Sequence, residues 1–382
     1  MPFQHLPKSN ARRVFAGIAL SLVLAGLGVA AWRWLQPWLF PPDPLITTPQ
    51  LALEQVKGRS LYFNGIGRAW MLKLRPDLLT PEDREDDSAR TRAFTQAPQS
   101  PKLFRQIDRQ YRFDTIVLVG EPSNYRRLLD HFLEPEPEKR EFRLVYLDHW
   151  ALIFQRNAER EWEPADADAV RERIAGARAA DRAAFLAMAA GKMLAIRKID
   201  AAKKWLDEAE SLDGGSLDML AGLAGYEVAL GRWVQAENYA DKALERDVNC
   251  IPALAVKVVA MRATKHKIDA FKYSERLNKL IPEDPVRLWQ HAEVAREAGK
   301  RAAEIAALNR LVELARQEDR PVGEYEFSLG EAHVHEALDD IAHAPLALEH
   351  LLKAVADPLL PPAKRKFAEE RIATIRQRTG LR

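Results

Sequence analysis

Cysteine is almost missing from this chain. Cys250 is the single one in 382 residues, which excludes an internal disulfide framework and any zinc module built on several cysteine ligands. A surplus of one charge is missing too. With 57 Lys and Arg against 55 Asp and Glu the formal net charge is +2, so the broad electropositive surface of a protein that coats nucleic acid is excluded, and no nucleic-acid partner is expected. The motifs of common catalytic sites are lacking as well. No Gly-x-Ser-x-Gly is present, Gly65-Ile66-Gly67 fails the dinucleotide pattern at its third glycine, and Gly120-Glu121-Pro122-Ser123 has no phosphate-loop lysine. No catalytic residue, cofactor or metal is assigned. At 47% apolar and 29% charged residues, the composition is that of a folded protein rather than a disordered one.

Long apolar runs are scarce, and the one that exists is placed tellingly. From Val14 to Trp32 there is no charge, a length of about 28 Å at the helical rise of ~1.5 Å per residue, which matches a bilayer core. Arg12 and Arg13 precede it, and Trp32, Trp34 and Trp38 lie at the other end, where indole rings favour the headgroup zone. The run predicts a single transmembrane anchor over residues 14–36. Lys8, Arg12 and Arg13 put residues 1–13 in the cytoplasm by the positive-inside rule and the body across the membrane, in the periplasm of a bacterium. A cleaved signal peptide is the competing reading, with Gly28-Val29-Ala30 as its cleavage site, and Arg12-Arg13-Val14-Phe15 resembles a twin-arginine export signal. Once residues 1–40, with four basic residues and no acid, are set aside, the rest carries 53 basic and 55 acidic residues. The basic tilt therefore belongs to the anchor.

Four prolines, Pro37, Pro41, Pro42 and Pro44, make residues 37–47 a stiff spacer. Beyond it, residues 48–157 read as a small α/β module. Thr48-Pro49 starts a short helix that Gly58 ends, and Ser60 to Phe63 and Ala69 to Leu74 are strand-like. DTIVLV at 114–119 is a buried-strand run, and Phe142 to Leu147 with Trp150 to Gln155 form a hairpin around Asp148-His149. Helices are predicted over Pro101 to Tyr111 and Ser123 to Phe132. Residues 75–100 read as a loop that holds a capped helix start at Thr80-Pro81-Glu82-Asp83, and the acidic run there lacks the spacing of a calcium loop. The succession LFRQIDRQYRF, DTIVLVGEP, NYRRLLDHFL and FRLVYLDHWALIFQR, after FNGIGRAWML, resembles the extracytoplasmic tail of bacterial multi-pass glycosyltransferases that use lipid-linked sugars. The resemblance spans residues 58–156 and carries over no catalytic carboxylate, since those sit between membrane helices this chain does not have. It implies a detached accessory domain in envelope glycoconjugate assembly.

From residue 165 to 382 the chain is helical in period, and it repeats. At a spacing of 34, Leu186, Leu220, Leu254 and Leu288 align, as do Ala190, Ala224, Val258 and Ala292. Ala202, Ala236 and Ala270 align too, with Trp205, Tyr239 and Tyr273 three positions on, and Gly231 and Gly299 share a turn slot. This resembles the tetratricopeptide repeat (TPR), and the fold expected is mainly α: a TPR-like α-α superhelix preceded by a transmembrane helix and the α/β module. Units fall at 183–216, 217–250, 251–284 and 285–318, a looser fifth with a lengthened turn at 323–358, and a capping helix at 363–378. Cys250 lies at a unit junction as a buried packing residue. By the family's geometry the first helix of each unit lines a groove, which here carries Val228, Val259, Arg262, Trp289, Glu293 and Arg296 as its partner-binding residues.

A protein or peptide partner is expected in that groove, an amphipathic helix or extended segment with one acidic group near Arg262 and Arg296. The competing reading fills the groove with the chain's own α/β module. The alternative function is an accessory subunit or degenerate relative of a membrane glycosyltransferase, with the module contacting lipid-linked glycan. Of the histidines, His333 and His335 are two apart and point about 200° away from each other on a helix, and His343 and His350 lie beyond a turn, so no metal site is expected.

Overall fold

The computed structural model describes residues 52–62, 97–120, 122–134, 140–317 and 320–381. The anchor, the spacer, the strand expected at 69–74 and the helix start at Thr80 lie outside these residues. Among the described residues no helix is long and apolar enough to cross a membrane. Residues 49–382 form one compact unit, a mainly α, TPR-like array preceded by a small α/β module.

The module is a four-stranded sheet in the order β1-β2-β4-β3, with β1 Ser60–Tyr62, β2 Thr115–Val119, β3 Phe142–Leu147 and β4 Ala151–Arg156. β1 runs parallel to β2, with Leu61 beside Ile116, and the other pairings are antiparallel. β2 is buried at every position, and a strand covered on both faces reads as a continuous apolar run, which is why TIVLV shows no alternation. Helix α1, Pro101–Tyr111, begins at Ser100, whose hydroxyl accepts from the Leu103 amide at 3.2 Å, and has proline in its first turn. Helix α2, Arg126–Phe132, starts later than the sequence suggests, because residues Pro122–Tyr125 form a 3-10 turn and the Tyr125 hydroxyl donates to the Val119 carbonyl at 2.7 Å. Phe132 packs against Phe104, Phe142 and Phe154, with ring centres 5.2, 5.5 and 4.9 Å away. These contacts clamp both helices to the sheet.

A short helix, α3 (Ala167–Ile174), leads into five helix pairs and a cap. The pairs are α4 Ala179–Ala195 with α5 Ile199–Asp213, α6 Leu217–Ala229 with α7 Trp233–Arg246, and α8 Ile251–Ala263 with α9 Lys267–Leu280. They continue with α10 Pro285–Glu297 and α11 Arg301–Gln317, then α12 Gly323–Asp339 and α13 Ala344–Ala356, and close with α14 Pro362–Thr379. The 34-residue spacing is therefore physical. Ala202, Ala236 and Ala270 are all fully buried where two helices cross, and a larger residue there would push them apart. Each of the first four turns ends on the same bond pattern, in which the amides of Lys198, Arg232, His266 and Lys300 donate to the carbonyls of Met193, Glu227, Met261 and Ala295. The fifth turn is longer and contains a 3-10 segment, Ile341–His343, where extra residues were expected. First helices also touch the first helix of the next unit, α4 with α6 and α6 with α8, which makes their side the inner one.

Candidate functional site

The inner helices carry the six groove residues, but the structure gives them different roles. Val228 and Val259 are half-buried on α6 and α8. Trp289 on α10 packs against Tyr325 on α12, 5.5 Å between ring centres, and belongs to a core cluster with Leu288, Leu308 and Leu329. Arg262 is already occupied: its guanidinium donates to both carboxylate oxygens of Glu297, at 2.5 and 3.1 Å, and lies 3.5 Å from Glu293. Glu297 holds the Arg262 pKa above the ordinary arginine range, ahead of the opposing effect of burial, and Arg262 in turn lowers that of Glu297. An acidic partner expected near Arg262 would have to displace two carboxylates of the chain itself. Arg296 differs. It is exposed, and it forms no hydrogen bond or ion pair among the described residues.

Arg296 borders a cavity of about 420 Å³ between α10, α11, α12 and α14. Arg301 and Glu304 form one wall; they are ion-paired to each other, and Arg301 also lies 3.9 Å from Glu336. Burial raises the Glu304 pKa, against the pull of Arg301 and Arg296. Phe327 and Phe367 line the cavity too, edge to face at 6.1 Å, with Lys364 over the first ring and Arg371 over the second. Lys364 also lies 3.5 Å from Glu324. The arrangement leaves one uncommitted cation beside an aromatic surface, with His335 exposed at the rim. That combination suits a carboxylate flanked by an apolar side chain.

The α/β module meets the array on this inner side as well. His149 packs against Phe185 of α4 with 4.7 Å between ring centres, Lys192 of α4 donates to the Gly120 carbonyl at 2.5 Å, and Arg197 lies 3.7 Å from Asp130. At the other end Arg127 of α2 lies 3.7 Å from Glu324 of α12. The module thus touches inner helices of the first and fifth units. Yet no described residue of the module lines the cavity beside Arg296. Asp148 and His149, which the sequence places in a hairpin turn, are buried at this junction, 0% and 7% exposed.

The sequence separates the histidines, but the fold gathers three of them. His333 of α12 lies between His343 of the 3-10 segment and His350 of α13, at 5.7 and 5.4 Å between ring centres and with near-parallel planes of 19° and 5°. His350 Nδ1 is 2.6 Å from Glu326, which is fully buried and also accepts from Arg316 at 2.8 Å. The signal was the helical phase: Glu326, Leu329 and His333 share one face of α12, and Ala347, His350 and Ala354 share the facing side of α13. Near-parallel rings do not turn their nitrogens to a common point, and among the described residues no cluster of three or more ligands could hold a metal ion.

No protein-family model and no curated protein matches the chain. Solved structures similar to it include YrrB, a TPR protein with an unusual peptide-binding site, at 15% identity, covering 52% of this chain and 96% of that one with a TM-score of 0.41. PilW, a widely conserved type IV pilus biogenesis factor, aligns at 15% identity over 54% of this chain and 90% of its own, with a TM-score of 0.42. MamA from Desulfovibrio magneticus RS-1 aligns at 21% identity over 46% and 93%, with a TM-score of 0.37. At such scores the likeness carries no argument about function, and the repeat stands on the chain's own helix boundaries. The comparisons lend the glycosyltransferase resemblance of residues 58–156 no support.

Proposed function

We propose that the chain is a non-enzymatic scaffold whose TPR-like array binds a protein or peptide partner, and that the contact centres on the cavity beside Arg296. One observation carries this reading: the exposed, uncommitted guanidinium of Arg296 lines a cavity of about 420 Å³ together with the paired Phe327 and Phe367 rings. The neighbouring cations are engaged, Arg301 by Glu304 and Lys364 by Glu324, so they frame the site without competing for its ligand. The ligand chemistry is a peptide segment with a carboxylate next to an apolar side chain. The proposal includes a single-pass anchor over residues 14–36 with the body on the periplasmic side, which is supported by the hydropathy and flanking charges of the sequence. A place in envelope glycoconjugate assembly is supported by the resemblance of residues 58–156 and by nothing else, so it stays outside the test.

A photo-crosslinking residue at His335, in the full-length chain in cells, is expected to form a defined protein adduct that disappears when Arg296→Glu is added. The same crosslinker at Lys242, on α7 outside the groove, is expected to form no such adduct. Adducts that survive Arg296→Glu, or that form equally from Lys242, would overturn the assignment.

A further inference from the structure

The three stacked histidines have a role that no partner need explain. They come from three successive pieces of the chain, α12, the 3-10 segment and α13, and at the turn end of the fifth hairpin their rings add a polar contact to the apolar packing of Ala344, Ala347, Leu348 and Leu351 against Phe327, Val334 and Ala337. Ile341 on the turn they close is 68% exposed, and the turn is held by the Asp340 carboxylate, which accepts from the Ala342 amide at 3.0 Å, by the His343 amide, which donates to the Asp340 carbonyl at 3.1 Å, and by the imidazole of His343.

Neutral imidazoles stack without electrostatic penalty, whereas imidazolium rings repel one another across a few ångströms of low-dielectric interior. The carboxylates around the stack are already engaged. Glu326 faces His350 but already neutralises Arg316 of α11. On α12, Glu336 faces His333 but is shared with Arg301 of α11, and Glu331 is 3.3 Å from Arg371 of α14. On α13, Glu349 beside His350 is tied to Lys353 at 2.5 Å. The Asp340 carboxylate of the turn is engaged by its cap. Among the described residues the Nδ1 atoms of His333 and His343 are buried without a hydrogen-bond partner, so a proton at either Nδ1 has no acceptor there.

We infer that this histidine stack is an acid-sensitive latch: in mild acid, charging of adjacent rings opens the α12–α13 hairpin and slackens the C-terminal end of the array. The consequence reaches the cavity, since α12 supplies Phe327, Ser328 and Ala332 to its wall. The latch itself rests on the fold and stands whether or not the cavity binds a peptide. Its supporting titration is that of His333, whose pKa is lowered by burial first and then by His350 and His343.

Hydrogen exchange of the full-length chain, corrected for intrinsic rates, separates the outcomes. Between pH 7.5 and pH 5.5, about one unit on either side of the ordinary histidine pKa, protection of peptides within residues 323–356 is expected to fall at least tenfold, while that of residues 217–280 holds. His333→Phe keeps an aromatic ring in the stack and removes its proton, and it is expected to abolish the fall. His343→Phe, on the exposed turn, is the second variant should the first lose its helical signal at pH 7.5. Equal protection at both pH values, a fall shared by every unit, or a fall that persists in the folded variants would each overturn the latch.

Discussion

Lys265 has φ 65°, in the left-handed region, and so do Arg197 at 63°, Gly231 at 69° and Gly299 at 69°. These four positions are 34 residues apart, so one backbone conformation recurs in four turns while glycine fills it only twice. The sequence marks the slot at Gly231 and Gly299; at Arg197 and Lys265 only the period reveals it. A side chain in this region costs about 1 kcal/mol, and the glycine that relieves it gives back part of that through a freer unfolded chain. Lys265→Gly is therefore expected to raise stability by about 0.5 kcal/mol. Gly299→Ala should lower it by about 1 kcal/mol, for backbone reasons alone, since nothing lies within 4 Å of an added Cβ there. Urea unfolding of the two variants decides it, and a loss in Lys265→Gly would show that the lysine side chain holds the turn. A second slot shows the same economy. Ser216, Cys250 and Asp284 stand just before α6, α8 and α10, and the serine and aspartate cap their helices through side-chain oxygens, while Cys250 brings a thiol to the same slot. Burial raises the pKa of its thiol, which fits a packing residue.

Helix pairs are held to their neighbours by charges that the sequence reads as partner contacts. Arg262 of α8 spans to Glu297 and Glu293 of α10, which joins the third unit to the fourth. Arg262→Glu puts three carboxylates together across that joint and is expected to cost about 2 kcal/mol, largely recovered in the swap Arg262→Glu with Glu297→Arg. Because Arg262 depresses the Glu297 pKa, the pair's contribution is full above the ordinary glutamate range and is lost as pH falls through the lowered value. Melting curves of the single and double variants at neutral and acidic pH check both points; a swap no better than the single change would deny the pairing. What was legible here follows from range. Helix ends, unit boundaries and the inner face depend on residues a few positions apart, and the period repeats them, so α6 to α11 lie where the spacing puts them. Arg262 could be placed on the inner face, but its carboxylates are 31 and 35 residues away on another helix. For the histidines the helical phase puts His333 and His350 on facing sides of α12 and α13, but their stacking with His343 was not legible, since its register depends on how the lengthened turn folds between them.

At the scale of the whole molecule the module and the array share a buried polar junction, and no local pattern announces it. Asp148 reads as a turn residue and is one, accepting from the Trp150 and Ala151 amides at 2.7 Å each and from the Tyr146 hydroxyl at 2.9 Å. What the sequence cannot give is the cover. The first inner helix lies over this turn, with Phe185 against His149 and Lys192 bonded to Gly120, so the carboxyl loses its water. Burial, against the pull of those hydrogen bonds and of Lys192, raises the Asp148 pKa from 3.8 to about 6. The folded chain then keeps a proton that the unfolded chain has released. Stability contributed at this site is therefore highest below the unfolded value and declines as pH rises toward the folded one. A shift of about two units corresponds to about 3 kcal/mol across that window. The Asp148→Asn variant would carry no such dependence, because an amide can accept the two backbone bonds and meet the Tyr146 hydroxyl without ionising. Its advantage over the natural chain, measured by urea unfolding, should accordingly grow by up to about 3 kcal/mol between about pH 4 and pH 7. An advantage that stays flat over this range would mean that Asp148 is hydrated or ionised in the folded state, and that the array does not seal the module's turn as the packing of Phe185 and His149 requires.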